Sequence, residues 1–157
     1  MKIRLLVIGK TNEEYLKKGI AEYERRIKHY VPFEILEIPA LKNMATLTKH
    51  DQKSKESELI EKQLKPGELV VLLDEHGKEM TSKAFSEYLN QRFRSGARNL
   101  TFIIGGAYGF EASLQHKADD VIALSKMTFS HQMVRLFFTE QLYRALTILK
   151  GELYHHE

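Results

Sequence analysis

Five short runs of β-branched and aliphatic residues recur along the chain, and each is nearly continuous rather than alternating with polar residues. They occupy residues 3–8, 33–38, 69–73, 100–104 and 121–124. Continuous apolar runs are typical of strands that are buried on both faces, as in a parallel sheet. The pattern therefore predicts five strands of one such sheet.

The segments between these runs have helical patterns. Thr11 and Glu14 have the spacing of a capping box, which predicts a helix from there to about Tyr30. Residues 44–64 are very polar and predict a loosely docked or partly mobile helix. Ser82 is placed to cap a third helix. The third, fourth and fifth helices are predicted at residues 82–94, 111–117 and 130–150.

Strands that alternate with helices predict an α/β fold, with a mostly parallel sheet and helices on both faces. The 157 residues contain no internal repeat or linker, so a single domain over residues 1–157 is expected. Ligands of such sheets bind outside the carboxyl ends of the strands. Three stretches lie at those ends, namely residues 73–77, 105–109 and 124–129.

Amino-acid composition excludes several kinds of protein and of functional site. Cysteine is absent, which excludes disulfides, thiolate metal sites and cysteine nucleophiles. No apolar run has the length of a membrane span, and the N-terminus lacks the features of a signal peptide, so a cytoplasmic protein without membrane contact is expected. The formal net charge of +3 permits a polyanionic partner without requiring one.

Two of the strand-end stretches are suited to a ligand. Glycines in IIGGAYGF follow a buried strand, where a ligand can press against backbone, although a tight turn explains them equally well. The spacing matches neither a dinucleotide-binding fingerprint nor a P-loop. In LSKMTF, apolar Leu124, Met127 and Phe129 alternate with hydroxyls of Ser125 and Thr128, a mixture suited to a flat base with a polar edge. Core filling is the competing explanation.

Several motifs together resemble the RlmH family of SPOUT (α/β-knot) methyltransferases, which methylate N3 of a pseudouridine in bacterial 23S ribosomal RNA. The motifs are KIRLLVIGK, AEYERRI, FEILEIP, IIGGAYG, LSKMTFSHQMVRLFFTEQLYRA and the closing ELYHH. The resemblance spans essentially the whole chain and is weakest in residues 44–64. Ser130 stands where family members often have proline, and a serine can cap the following helix.

The resemblance implies a C-terminal trefoil knot and S-adenosylmethionine bound largely by backbone. The positions that match the family's cofactor contacts are Leu73, Gly105, Leu124, Ser125, Lys126, Met127, Thr128 and Phe129. The resemblance also implies a homodimer packed through the last helix. The apolar surface of that helix is broader than one face, which fits either a second subunit or a central position in one subunit.

Removal of the N3 proton of pseudouridine calls for a base with a pKa near neutrality, so histidine is the expected type. His131 begins the last helix, and His155 in the tail follows Tyr154, which is suited to stacking on an unpaired base. The closing Tyr-His matches the family's ending and favours the tail. Arg135 is predicted to hold RNA phosphate. Four other histidines have no acidic or histidine partner at ligand spacing, so no metal site is expected: His29, His50, His76 and His116.

Two other functions fit the sequence. One is a noncatalytic protein that binds RNA or the ribosome through the same surface, which absence of cofactor binding would favour. The other is a different small-molecule α/β enzyme, such as a nucleotide-binding one, although the phosphate-binding glycine pattern is missing.

Overall fold

The computed structural model describes the backbone of residues 1–156 and all of their side chains except that of Met44. Within these residues, all five predicted strands and all five predicted helices are present. In chain order they are β1 (Lys2–Ile8), α1 (Glu14–Ile27), β2 (Phe33–Ile38), a short 3-10 turn (Met44–Thr46), α2 (Lys49–Glu61), β3 (Leu69–Glu79), α3 (Ser82–Phe93), β4 (Asn99–Ile104), α4 (Ala112–Lys117), β5 (Asp120–Ala123) and α5 (Met133–Leu149).

The five strands form one sheet in the order β2-β1-β4-β3-β5, and each neighbouring pair is parallel. Two apolar clusters cover its two faces. Residues of α1, α3 and α5 pack on one face, around Phe102 and Phe138, and residues of α2 and α4 pack on the other, around Leu72 and Ile103. The predicted fold class is therefore confirmed.

Helix α5 lies between α1 and α3 on the first face. Phe138, Leu142 and Ala145 are fully buried, and the rings of Phe102 and Phe138 lie 4.7 Å apart. Gly19 allows close approach of α1, since a Cβ there would lie 2.9 Å from Leu136 Cδ1. Much of the apolar breadth of α5 is thus covered within the subunit, so that breadth alone does not require a partner.

The predicted caps of two helices are wrong. α1 runs from Glu14 to Ile27 and has no side-chain cap. Thr11 does not cap it, and its hydroxyl accepts a hydrogen bond from Arg135 instead. α3 is capped by Thr81, whose Oγ1 accepts the N–H of Ala84 at 3.0 Å, while Ser82 donates to Gln141. In both cases a tertiary contact or a neighbouring hydroxyl replaces the predicted cap.

Strand β3 is longer than predicted. It continues past Leu73 through an irregularity and pairs again with β5, Lys78 with Ile122 and Glu79 with Ala123. Gly77 makes this possible, since a Cβ there would lie 2.7 Å from the backbone of Val121. Residues 73–77 are therefore an irregular part of a strand rather than a loop.

The polar segment 44–64 contains the 3-10 turn and the ordered helix α2. Thr48 caps α2 by accepting the N–H of Asp51 at 3.0 Å. Helix α2 docks through Ile60 and, unusually, through the buried polar residues Glu56 and Ser57. Its docking is therefore as much polar as apolar.

Candidate functional site

A cavity of about 570 Å³ lies at the carboxyl ends of β4 and β5, beside the irregular segment of β3. Its wall combines the glycine loop after β4 (residues 105–109), the cradle loop after β5 (residues 124–129), the irregular segment of β3 and the beginning of α5. Topology places these segments together, because parallel strands end at the same edge of the sheet. The predicted location of the site thus coincides with a real cavity.

Seven of the eight positions predicted to contact a cofactor line this cavity. They are Leu73, Gly105, Leu124, Ser125, Met127, Thr128 and Phe129. The eighth, Lys126, is not part of the wall: its side chain is 85% exposed and its Nζ lies 3.6 Å from Glu79. A contact of Lys126 with a cofactor therefore stays a prediction.

The cradle loop is held by its own side chains and by β3. Ser125 Oγ accepts the N–H of Met127 at 3.0 Å, and the Thr128 hydroxyl donates to Glu75. The ring of Phe129 packs on that of Phe137, with centroids 5.0 Å apart. Met127 is 75% exposed and offers an uncovered apolar surface at the edge of the cavity.

The glycine loop is close-packed on the side where side chains would project. A Cβ at Gly105 would lie 3.0 Å from the ring of Phe110, and one at Gly106 would lie 2.6 Å from the carboxyl oxygens of Glu56. Gly109 has φ +76° and donates its N–H to the carbonyl of Gly106. Packing within the protein therefore requires these glycines, in addition to any need for bare backbone beside a ligand.

Two carboxylates of β3, Asp74 and Glu75, also line the cavity. His76 has acidic neighbours, contrary to the prediction: its Nδ1 lies 2.9 Å from Asp74, and its Nε2 lies 3.8 Å from Glu75. Sequence reasoning placed these residues at a strand end but assigned them no role. Lys53 of α2 lines the cavity as well, and the irregular polar pattern of that helix gave no signal for it.

His131 lies in the cavity wall immediately before α5. Ser130 precedes it, and its Oγ accepts the N–H of Met133 at 3.0 Å, so the serine does cap the helix entrance although α5 begins at Met133. Desolvation, and secondarily the positive charge of Arg135, lowers the pKa of His131 below its ordinary value. At neutral pH its imidazole is therefore uncharged and able to accept a proton.

Arg135 is not at the surface, so the prediction that it contacts RNA phosphate is wrong. Its side chain is 2% exposed. It donates to the carbonyls of Ile8 and Gly9 at 2.7 and 3.0 Å and to the Thr11 hydroxyl at 3.1 Å. Its role is to satisfy carbonyls at the end of β1 and to fix the start of α5 there, and burial lowers its pKa.

Tyr154 and His155, the tail residues predicted to act in catalysis, pack against the surfaces of α1 and α5. Neither lines the cavity of its own subunit. The Tyr154 hydroxyl donates to Glu140 at 3.0 Å and lies 3.4 Å from that of Tyr23. Arg144 lies over the Tyr154 ring at 4.7 Å, and its Nη1 is 3.1 Å from His155 Nδ1. Arg144 also forms an ion pair with Glu140 at 2.6 Å. Glu140 and Arg144 thus fix the tail, which their helical spacing alone did not reveal.

Among the described residues, no three histidines, cysteines or carboxylates are grouped as metal ligands. Over residues 1–156 no helix is long and apolar enough to cross a membrane.

A five-stranded parallel α/β domain with a cavity edged by backbone loops at the strand ends is an arrangement that many α/β proteins use to bind small molecules. Residues 1–155 match the family described as "Predicted SPOUT methyltransferase", and the chain belongs to that family. It is 54% identical to proteins named "Ribosomal RNA large subunit methyltransferase H" from Parabacteroides distasonis, over all of both chains, and from Christiangramia forsetii, over 99% of each.

A solved structure shows the same fold at low sequence identity. A probable methyltransferase from Bordetella pertussis superposes with a TM-score of 0.56 at 12% identity, covering 92% of this chain and 93% of that one. The match of residues 1–155 to the family, together with the 54% identity to the two relatives, confirms the resemblance to SPOUT methyltransferases.

Proposed function

We propose that this protein is an S-adenosylmethionine-dependent methyltransferase that modifies N3 of a pseudouridine in 23S ribosomal RNA. The observation that carries the proposal is the cavity, because seven of the eight positions that match the family's cofactor contacts meet there, from β3 and from the ends of β4 and β5. The names of the full-length relatives support large-subunit ribosomal RNA as the substrate. The trefoil knot implied by the resemblance is part of the same proposal.

The cavity fits such a methyl donor in size and chemistry. Its volume of about 570 Å³ is within the usual range for small-molecule sites. Leu73, Leu124 and Phe129 supply apolar surface for a flat base, and the cradle loop supplies hydroxyl and backbone groups for a polar edge. When bound, the sulfonium supplies an already activated methyl group. The task of the protein is therefore positioning for in-line attack.

The acceptor needs a group that takes the N3 proton. We assign this role to His155, with Tyr154 placing the base, and we keep His131 as the alternative. Because Tyr154 and His155 lie outside the cavity of their own subunit, this assignment requires them to meet the cavity of a second subunit in a homodimer. His131 requires no partner, since it already lies in the cavity wall.

Substrate selection is proposed to depend on the assembled ribosome. The net charge of +3 is small for a protein that binds RNA through phosphates alone. Arg135, which was predicted to contact phosphate, is buried, and its terminal nitrogens donate to groups within the fold. A composite surface of ribosome and second subunit supplies specificity without a basic stripe, and the protein acts in the cytoplasm, where ribosomes are found.

Two measurements on the purified protein test this proposal. Calorimetry with S-adenosylmethionine should show saturable binding, and ribosomes treated with methyl-labelled donor should acquire label on large-subunit RNA at a pseudouridine. Absence of donor binding over a wide range of concentrations would favour the noncatalytic RNA- or ribosome-binding alternative. Donor binding with label on another nucleotide would retain the methyltransferase and reject the pseudouridine assignment.

A further inference from the structure

An aromatic side chain stands open to solvent at the mouth of the cavity. Tyr108 belongs to the glycine loop, lines the cavity and is 42% exposed. The loop beneath it is fixed, since Gly109 donates its N–H to the carbonyl of Gly106 at 3.2 Å. A ring held on a fixed loop loses little conformational freedom when a flat partner stacks on it. Tyr108 is therefore a preformed stacking surface.

Two lysines of α2 lie beside this ring. Lys49 Nζ is 5.5 Å from the centroid of the Tyr108 ring, and Lys53, one helical turn later, lines the cavity. Residues four apart lie on the same side of a helix. No ion pair between described side chains includes either lysine. Lys49, Lys53 and Tyr108 thus form one patch, the rim patch, whose two ammonium groups have no ionic partner.

Charge is distributed unevenly around the cavity. The irregular segment of β3 contributes the carboxylates of Asp74 and Glu75 to the wall. Among the described residues of the wall, Lys53 is the only lysine or arginine. A polyanion is attracted to positive groups and repelled by negative ones, so the wall favours one route for it. That route crosses α2 and the glycine loop rather than β3.

An aromatic ring beside two ammonium groups suits unpaired nucleic acid, because bases stack on the ring and backbone phosphates pair with the lysines. We propose that the rim patch binds the RNA strand next to the target nucleotide. Tyr108 stacks on an unpaired base, and Lys49 and Lys53 contact phosphates. The inference rests on the proposed function, which makes RNA the substrate.

The position of the patch favours the acceptor strand over the methyl donor. Lys49 is exposed and does not line the cavity, and Tyr108 presents part of its ring to solvent. The acceptor base has to enter through the mouth, so the RNA on either side of it passes the rim. One stacked base and two phosphates are also compatible with the small net charge of +3, because they require no basic stripe.

Ribosome binding at several salt concentrations tests the two lysines, with calorimetry of S-adenosylmethionine on the same proteins. Lys49→Gln combined with Lys53→Gln should weaken ribosome binding by at least about tenfold at low salt. The slope of log affinity against log salt should fall by about 1.5, since each lost phosphate contact removes about 0.7–0.9. Donor affinity should stay within about twofold. The matched control is Lys55→Gln combined with Lys62→Gln, two exposed lysines of the same segment that do not line the cavity.

Substitutions of the ring test the stacking contact separately. Tyr108→Ala should weaken ribosome binding by about tenfold without changing the salt slope, because a stacked base carries no charge to the contact. Tyr108→Phe keeps the ring and should bind ribosomes as the wild type does. Circular dichroism verifies that the variants are folded.

The outcomes separate this inference from the proposed function. Equal losses of ribosome affinity in the rim and control lysine variants would overturn the inference in favour of general charge attraction. Weaker donor binding by the rim variants, with unchanged ribosome binding, would overturn it and assign the patch to the donor. Methyl transfer by a wild type whose ribosome affinity no rim substitution alters would retain the function and reject the inference. Ribosome binding that depends on the rim patch, in a protein that binds no donor, would retain the RNA contact and reject the methyltransferase.

Discussion

The cavity at the strand ends and the C-terminal tail are held in place by different kinds of interaction. The cavity is formed by backbone segments that the parallel sheet brings to one edge, with Leu73 and Ile104 in the buried strands immediately before them. The tail is fixed by a few side-chain contacts on the helical surface, chiefly those of Tyr154 with Glu140 and of His155 with Arg144. The first region follows from topology, and the second depends on individual side chains.

This difference bears on how the two regions share a reaction. A binding site built by the sheet retains its shape when a surface residue changes. A tail held by a few partly exposed contacts opens locally at a much lower cost in free energy than the sheet. We therefore expect changes in the tail to affect chemistry and changes in the cavity to affect donor binding.

Removal of residues 152–157 should have the largest effect on methyl transfer among the changes considered. Methyl transfer to ribosomes should fall by at least about 100-fold, because the proposed base and its stacking partner are both lost. Donor affinity should change little, since none of residues 152–156 lines the cavity of its own subunit. Single-turnover assays with labelled donor and calorimetry measure the two quantities. A protein cut after His155 is the control, and full activity of the shorter protein would leave His131 as the base.

Gly105→Val should weaken donor binding, which the tail truncation should leave nearly unchanged. A Cβ at this position meets the Phe110 ring at 3.0 Å, so two further methyl groups must shift that ring or the glycine loop. Donor binding should weaken by at least about tenfold and stability should fall by about 1–3 kcal/mol, with native-like circular dichroism. Ala112→Val, at an exposed position of α4, is the control. Normal donor binding by Gly105→Val would place the donor site elsewhere.

Phe137→Glu should affect assembly rather than folding. The Phe137 ring is 39% exposed in the subunit, whereas Leu142 of the same helix is fully buried. Leu142→Glu should therefore unfold the chain, because it buries an unpaired charge in the core. Phe137→Glu should remain folded and sediment as a monomer if α5 forms the homodimer interface. A wild-type protein that is monomeric at micromolar concentrations would contradict the dimer, and with it the role of the tail.

His131→Gln should reduce activity moderately, and its pH profile distinguishes the two candidate bases. The pKa of His131 is lowered, so its imidazole becomes protonated only as the pH falls below about 6.5, the ordinary value for histidine. If His131 were the base, activity would fall through that lowered pKa and the variant would lose this acid limb. We expect the variant to keep the acid limb of the wild-type pH profile and to lose less activity than His155→Ala. Disappearance of the limb in His131→Gln would reassign the base.

Much of the fold could be predicted from the sequence, because continuous apolar runs mark strands buried on both faces. The strand positions were correct except at β3, where Gly77 allows pairing to resume after an irregularity. The cradle loop and the glycine loop were found for the same reason, since both follow buried strands. Local patterns are sufficient for these features.

The remaining features depend on contacts between distant parts of the chain. Arg135 is buried because it satisfies carbonyls at the end of β1, more than 120 residues away in sequence. Lys53 lines the cavity, and Glu56 packs against Gly106 of its wall, from a helix whose polar pattern indicates an exposed surface. The helical and strand periodicities of a sequence do not reveal contacts between distant residues, so the roles of these buried polar groups could be found only in the structure.

Tyr154→Phe should have the smallest effect, and it isolates the ring from the hydroxyl. The hydroxyl bonds to Glu140 and lies near Tyr23, while the ring packs between Arg144 and Tyr143, each at 4.7 Å. Burial raises the pKa of Tyr154, so the phenol stays protonated at neutral pH and does not act as the base. Loss of the hydroxyl should cost about 0.5–1.5 kcal/mol of stability and reduce methyl transfer only a few-fold. Tyr154→Ala removes the stacking surface as well and should reduce transfer by more than about tenfold. Denaturation curves and single-turnover assays compare the two variants, and equal losses of transfer in both would show that the hydroxyl, rather than the ring, is the part of Tyr154 that the reaction needs.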